Sequence, residues 1–340
     1  MKDFKKKEHF VGIDISQKVL DCSLVNEAGY GIFKDKQVNN TFDGFEHMLA
    51  WLIKQKVKPE DCLFCMEHTG TYGLLLFAWL SQMGIDYCVE PGLKIKRSLG
   101  LTRGKNDKID ARRLADYAYT NQAKLEVFEL PSTLIIQIKQ FLTYREQLVK
   151  IKTSLKNSFK SHKTYQKVSG VRSISTEIED QIKEYESRIN EVEKQIIELI
   201  NTNPEMKKNF ELARSVKGIG LVIAAFMLVT TNNFTGFENG RKYACYSGIA
   251  PFEYYSGTSI KGRTKVSQIG NKRMKSLLSN GANSACRYDP EIRSYYKRKT
   301  NEGKDHKLII NAISCKLVNR VFATIKRQTP YVTFKHQNYV

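Results

Sequence analysis

HFVGIDIS (residues 9–16) is an apolar run rich in β-branched residues, with Asp14 inside it. The run reads as a buried strand, where an ionised aspartate is costly unless it is paired or ligates a cation. Further strand signals follow. VLDCSLVN (19–26) alternates, EAGYG (27–31) supplies a turn, and IFKDKQVN (32–39) gives a third strand. The chain therefore opens with an antiparallel meander.

Beyond it, helix and strand signals alternate. Thr41 is placed to cap a helix over 42–55, whose Phe42, Phe45, Met48, Leu49 and Leu52 recur at helical spacing. CLFCME (62–67) reads as a short buried strand, 72–83 as a helix, DYCVE (86–90) as a strand ended by Pro91, and 107–119 as a helix. A three-strand meander followed by alternating helices and strands is the order of the ribonuclease H-like fold, an α/β architecture.

Four acids fall on these elements: Asp14 on the first strand, Glu67 ending CLFCME, and Asp107 and Asp110 in KNDKIDARR (105–113). For the last two the sequence leaves two readings. Asn106 or Asp107 suits a helix start, where acids are favoured. Residues three apart also share a helix face, so both carboxylates are able to serve one ion. In ribonuclease H-like folds the four positions converge at one sheet edge, which favours the catalytic reading. Clustered carboxylates cannot all stay ionised without cations. Hard oxygen ligands suit Mg²⁺ or Mn²⁺, and a two-metal site would bind both oxygens of an in-line phosphoryl displacement.

The middle of the chain differs. Ile182, Tyr185, Ile189, Val192, Ile196 and Leu199 follow a heptad seam, with a rougher version at Leu134, Ile138, Phe141, Leu148, Leu155 and Phe159. The polar stretch 160–176 breaks the pattern. The expectation is two long helices joined by an irregular segment, forming either an arm that pairs with another chain or a hairpin within this one. After Pro204, Gly218-Ile219-Gly220 lies between two apolar helical stretches, as in a helix-hairpin-helix whose backbone N–H groups approach phosphate; an ordinary helix–helix turn fits as well. Residues 253–275 carry six bases (Lys261, Arg263, Lys265, Lys272, Arg273 and Lys275) and one acid, and read as a loop for a phosphate backbone. HKLIINAISCKLVNRVFATIKR (306–327) reads as an amphipathic helix with a basic face.

Charge supports this division. The chain of 340 residues carries a formal +20; residues 205–340 hold 24 Lys/Arg against 8 Asp/Glu, whereas residues 1–130 are nearly balanced. An excess so placed points to nucleic acid. Seven cysteines without framework spacing, and no signal-peptide pattern, suggest a reduced, cytoplasmic setting. The lone Cys62/Cys65 pair reads as strand core. The longest apolar run, LVIAAFMLV (221–229), is too short to span a bilayer, so a soluble protein without a membrane partner is expected.

GIDIS (12–16), MEHTGTY (66–72) and KNDKIDARRLA (105–115) resemble the N-terminal motifs of the insertion-sequence one-ten transposases, the "DEDD" recombinases related to Piv DNA invertases. GIAPFEYYSGTS (248–259), KGRTKVSQIGNKRMKSLL (261–278) and the closing basic helix resemble the family's second domain. The resemblance covers nearly the whole chain. It implies a RuvC-like domain over 1–128, a coiled-coil arm over 129–204, and a small, mainly helical transposase domain over 205–340. It further implies Asp14, Glu67, Asp107 and Asp110 as a Mg²⁺ (or Mn²⁺) site. As partners it implies donor and target DNA, a structured bridge RNA, and a homo-oligomer in which dimers pair into a tetramer, working in the cytoplasm at the nucleoid. The family's nucleophilic serine lies in a Ser-Ser-Gly motif. Here that motif reads Tyr255-Ser256-Gly257, which assigns the nucleophile to Ser256 and leaves the hydroxyls of Tyr254 and Tyr255 as competitors. The competing function is a RuvC-type metal nuclease that attacks with water and dispenses with Ser256.

Overall fold

The computed structural model describes residues 7–26, 33–68, 70–98, 100, 106–170, 172–256, 260–267 and 269–332, with the backbone alone at 173, 254–256, 260, 261, 263 and 264. The expected turn at 27–31, Gly257 and Lys105 lie outside the described residues. Two compact units emerge, one ending at Leu130 and the other beginning at Pro131.

The first unit is a five-stranded sheet. Its strands are β1 (His9–Ile15), β2 (Val19–Asn26), β3 (Lys34–Asn39), β4 (Cys62–Glu67) and β5 (Tyr87–Glu90), in the order β3-β2-β1-β4-β5. β1, β2 and β3 pair antiparallel, whereas β1–β4 and β4–β5 are parallel. This mixed arrangement is compatible with the expected order. The period-2 alternation of β1 decides what packs on each face. Val11, Ile13 and Ile15 join a core built with Phe45, Met48 and Leu52 of α1 (Phe42–Lys54) and Leu76, Phe77 and Leu80 of α2 (Leu74–Gln82). Thr41 caps α1 as expected, its hydroxyl accepting from the Gly44 N–H at 3.2 Å. Phe10, on the opposite face, packs with Ile95 of α3 (Gly92–Ser98) and with Leu114, Ala115 and Tyr117 of α4 (Asp107–Asn121). Cys62 and Cys65 are buried strand residues.

The second unit begins with a helical hairpin, α5 (Thr133–Ser169) and α6 (Ser173–Asn201). The heptad seam is filled within the chain: Ile189, Val192 and Ile196 share a core with Ile135, Ile138, Leu142 and Leu148. Arg145–Glu193 at 2.7 Å and Lys156–Glu186 at 2.9 Å bridge the pair. The expected irregular segment over 160–176 is corrected, since α5 runs on to Ser169. Residues 160–169 contain no Gly or Pro, and a solvent-facing helix needs no apolar stripe. Gly170, at φ 75°, then ends the helix in the left-handed region that glycine tolerates.

The remainder comprises α7 (Pro204–Ser215), α8 (Leu221–Thr230), α9 (Gly240–Tyr246), β6 (Pro251–Ser256), β7 (Ile260–Val266), α10 (Lys272–Tyr288), α11 (Pro290–Asn301) and α12 (His306–Arg327). These helices share one core with the base of the hairpin. The base of the hairpin thus packs with the C-terminal helices, and the one division between compact units falls at Leu130/Pro131. The region read as a loop, 253–275, is instead an antiparallel β6–β7 ribbon leading into the first turn of α10. α12 is the one described helix long and apolar enough in composition to cross a membrane, yet its Ile309, Ile313, Leu317 and Val321 are fully packed in this core.

Candidate active site

Gly12 sets the height of α4 above the sheet. A Cβ at this position would overlap the Ala111 carbonyl oxygen and the Ala115 amide nitrogen, so the helix backbone lies directly on the strand. Asp14 is two residues on, on the same face of β1, and Asp107 and Asp110 occupy the first turn of α4, just before Ala111. A Gly-x-Asp strand docked on an Asp-x-x-Asp-Ala helix therefore brings the helix acids to the strand acid. Asn106 caps the helix by accepting from the Lys108 N–H at 3.0 Å, so the capping role falls to Asn106 and leaves both aspartates free of it.

Sheet register adds to the cluster. Asp14 stands opposite Asp21 on β2. The β1–β4 ladder ends at Ile13 and Met66, which makes Asp14 and Glu67 the next residues along, and Glu67 in turn pairs with Glu90 of β5. Four acids thus form a row across four strands. Glu90 is buried and ion-paired to Lys94 at 2.8 Å. Glu67 lies against Gly92, where any Cβ would collide with its carboxylate. Asp21 accepts from Gln37 at 3.0 Å. The Asp14 carboxyl is pushed up to about 6 by burial, reinforced by Asp107, Asp110, Asp21 and Glu67. Opposing like charges across strands destabilise a sheet, and a divalent cation is the chemistry that relieves such a set. The oxygen-donor character fits Mg²⁺ or Mn²⁺. Even so, among the described residues no three acid, histidine or cysteine side chains stand close enough together to hold an ion. Asp110 is turned to Arg113, 2.8 Å away. The acids converge by position, and their side chains must turn to close on a metal. His68 is exposed.

Neither Asp21 nor Gly12 nor the pair Ala111/Ala115 stands out in the sequence. The short link between β1 and β2, with Ile15 opposite Leu20, is the signal that would have aligned Asp21 with Asp14. The helix contact with Gly12 is non-local and has no sequence signature of its own.

In the second unit, Ser256 ends β6 and is registered with Ile260 of β7. Lys261, Arg263 and Lys265 occupy alternate positions of β7, and Lys272, Arg273 and Lys275 lie in the first turn of α10. That turn has no acid, so its cations oppose the helix dipole, an arrangement that suits an approaching anion. Lys265 and Lys272 are exposed, whereas Arg273 is 3.2 Å from Glu146 of α5, a structural partner for a residue read as a nucleic-acid contact. Asn271 pins the ribbon's base: its N–H donates to the Tyr246 carbonyl and its side-chain amide to the Tyr246 hydroxyl, both at 2.8 Å. The two glycines of the 218–220 turn separate. Gly218, at φ 96°, packs its backbone on Gly281 of α10. Gly220, before α8, faces open space.

Comparison with known proteins matches two family models. The transposase model DEDD_Tnp_IS110 covers residues 11–164, and the model described as "Transposase IS116/IS110/IS902 family" covers residues 210–297. The pilin gene-inverting protein of Moraxella bovis is 28% identical over 331 residues, 95% of this chain and 97% of that protein. The 44.8 kDa protein of insertion element IS116 from Streptomyces clavuligerus is 20% identical over 387 residues, 93% of this chain and 94% of that protein. The 43.6 kDa protein of insertion element IS110 from Streptomyces coelicolor is 32% identical over 117 residues, 34% of this chain and 29% of that protein. The two models follow one another along the chain, the first running from β1 into α5 and the second from α7 to α11, and this chain belongs to the IS110 family of transposases, enzymes that act on DNA.

Proposed function

We propose that this transposase is a site-specific recombinase that cuts and rejoins DNA through a phosphoserine intermediate at Ser256, assisted by a divalent-metal site at Asp14, Glu67, Asp107 and Asp110 in a ribonuclease H-like domain. The observation that carries the reading is the carboxylate row flanking Asp14 beneath the first turn of α4. The strand order β3-β2-β1-β4-β5 supports the domain assignment, and the pilin gene-inverting relatives support strand exchange over simple hydrolysis. A structured bridge RNA pairing with donor and target DNA, and an oligomer presenting several active sites, belong to the same reading.

The chemistry balances without an external energy source. The Ser256 hydroxyl oxygen attacks a DNA phosphorus, the serine O–P bond forms, and the bond from phosphorus to the leaving sugar oxygen breaks. The serine proton passes, through the site, to that oxygen. A sugar hydroxyl of the partner strand then attacks the phosphoserine, restoring a phosphodiester and returning the proton to Ser256. Serine is a poor nucleophile at neutral pH and needs activation. Mg²⁺ or Mn²⁺ held in the carboxylate cluster would supply Lewis-acid activation and offset developing negative charge. Asp14, Glu67, Asp107 and Asp110 would hold it. Lys261, Arg263 and Lys265 along β7, with Lys272, Arg273 and Lys275 in the first turn of α10, would grip the nucleic-acid backbone, and Gly220 offers its open backbone to phosphate.

Covalent trapping tests this. End-labelled donor and target DNA, incubated with Mg²⁺ and the chain co-purified with transposon-end RNA, should give a labelled adduct on a denaturing gel. The adduct should vanish in Ser256→Ala and Asp14→Ala and persist in Tyr255→Phe. Cleaved DNA without adduct, with Ser256→Ala fully active, would establish the hydrolytic nuclease in its place. Backbone contacts have their own signature. Lys265→Ala and Lys272→Ala should each lower the slope of log affinity against log salt by about 0.7–0.9, uniformly across sequences. An unchanged slope in a salt titration would remove both residues from the interface.

A further inference from the structure

Beside the carboxylate row lies a group of charges that the mechanism does not use. Asp35 of β3, at the sheet's edge, receives the Arg112 guanidinium of α4 as a fork. Arg112 Nε donates at 3.0 Å to Oδ1, and Nη2 donates to Oδ2. Lys108, one turn earlier on α4, brings its ammonium to 3.1 Å of the same carboxylate, and Ser23 of β2 donates from its hydroxyl at 2.9 Å. Arg112 also lies over the Phe33 ring, 5.6 Å from its centroid. Burial raises the Asp35 carboxyl, but the hydrogen bonds from Arg112, Ser23 and Lys108 outweigh it and hold it at about 2, so it stays ionised at any working pH.

The placement on α4 is what matters. Ala111, Leu114, Ala115 and Ala118 form the buried face that lies on the sheet. At about 100° per residue, Lys108 and Arg112 leave the helix on one flank of that face and Asp110 on the other. The contact at Gly12 fixes how close the helix lies to β1 but leaves rotation about the helix axis to the flanks. Asp35 draws one flank toward β3, and any roll of the helix moves Asp110 in the opposite sense. Surface ion pairs contribute little stability, and Lys108 and Arg112 are substantially exposed. A forked carboxylate contact instead supplies orientation.

We propose that Asp35 is a positioning residue for the active site: by clamping Arg112 and Lys108 it sets the rotation of α4 and thereby where Asp107 and Asp110 stand over Asp14. The proposal rests on reading those acids as the metal-binding group.

The test is a Mn²⁺ titration of the full chain, followed by loss of the free-ion electron paramagnetic resonance signal, with thermal melting alongside. Asp35→Asn should weaken Mn²⁺ binding about 10–100-fold, the usual cost of removing an outer partner of a metal site. Asp35→Glu should recover most of the loss, and Arg112→Gln should weaken binding in the same direction. Mn²⁺ affinity within about twofold of wild type in Asp35→Asn, with a lowered melting temperature alone, would make the clamp purely structural and overturn the proposal. Should Asp35→Asn fail to fold, Arg112→Gln decides by the same criterion. Asp14→Asn separates the two levels. Binding lost in Asp14→Asn but intact in Asp35→Asn and Arg112→Gln removes the clamp and keeps the metal reading. No Mn²⁺ binding in the wild type removes both.

Discussion

Asp14→Asn is expected to lower DNA strand cleavage roughly 10²–10³-fold while making the metal-free protein more stable at neutral pH. Both effects come from one cause. The native Asp14 carboxyl titrates at about 6 instead of 3.8, because burial and the charges of Asp107, Asp110, Asp21 and Glu67 disfavour its ionised form. Between about pH 4 and 6 the native state therefore holds a proton that the unfolded chain has released, so stability falls as pH rises through that window. Above it the full cost of ionisation is in place. At about 1.4 kcal/mol per tenfold this cost is at most ~3 kcal/mol, and partial solvation reduces it to roughly half that size in practice.

Asparagine removes the charge and keeps the shape. Urea unfolding in EDTA at pH 7.5 should give a higher midpoint for Asp14→Asn than for wild type, and the difference should shrink at pH 4. With Mg²⁺ present the order should close or reverse, because a ligand that binds only the native state stabilises the wild type. Equal midpoints in EDTA at both pH values would show that the acids do not sense one another, and would sink the shared-cation reading of the row. Function held at a cost in stability is the pattern expected of a charge cluster built for a cation.

Gly12→Ala carries the second large effect. Its Cβ would occupy the space of the Ala111 carbonyl and the Ala115 amide, neither of which is a flexible side-chain end. The helix must lift from β1, and overpacking of this kind costs about 1–3 kcal/mol. Lifting α4 also carries Asp107 and Asp110 away from Asp14, and a displacement of about 1 Å is enough to lose about 10²-fold in rate. Denaturant unfolding and a cleavage assay on the same preparation check the two consequences together. Unchanged stability and rate would mean that α4 does not dock on Gly12.

Local signals marked most elements of the first unit. An apolar β-branched run marks β1 and alternation marks β2, the 3.6-residue stripe and the Thr41 cap mark α1, and Asn106 before Asp107 starts α4. Asp14 and Glu67 stand out in the sequence because a carboxylate in an apolar strand, or ending one, has no cheap structural explanation, whereas Asp107 and Asp110 also suit an ordinary helix start. The basic excess after residue 205 needed only counting.

Tertiary structure decided what depends on partners distant in sequence. An a/d seam describes an apolar stripe but not its mate, so α6 was equally suited to another chain until α5 filled it. The base of that hairpin shares its core with the C-terminal helices, a contact between segments distant in sequence. Gly218 packs on Gly281, 63 residues away, and Gly12 on a helix nearly a hundred residues on. Strand register alone made Asp21 a neighbour of Asp14, and the reach of Asp35 to Arg112 exists only once β3 and α4 are assembled. Sequence periodicity fixes which face of an element is apolar; the height, roll and register at which faces meet are set by contacts between residues that no local pattern connects.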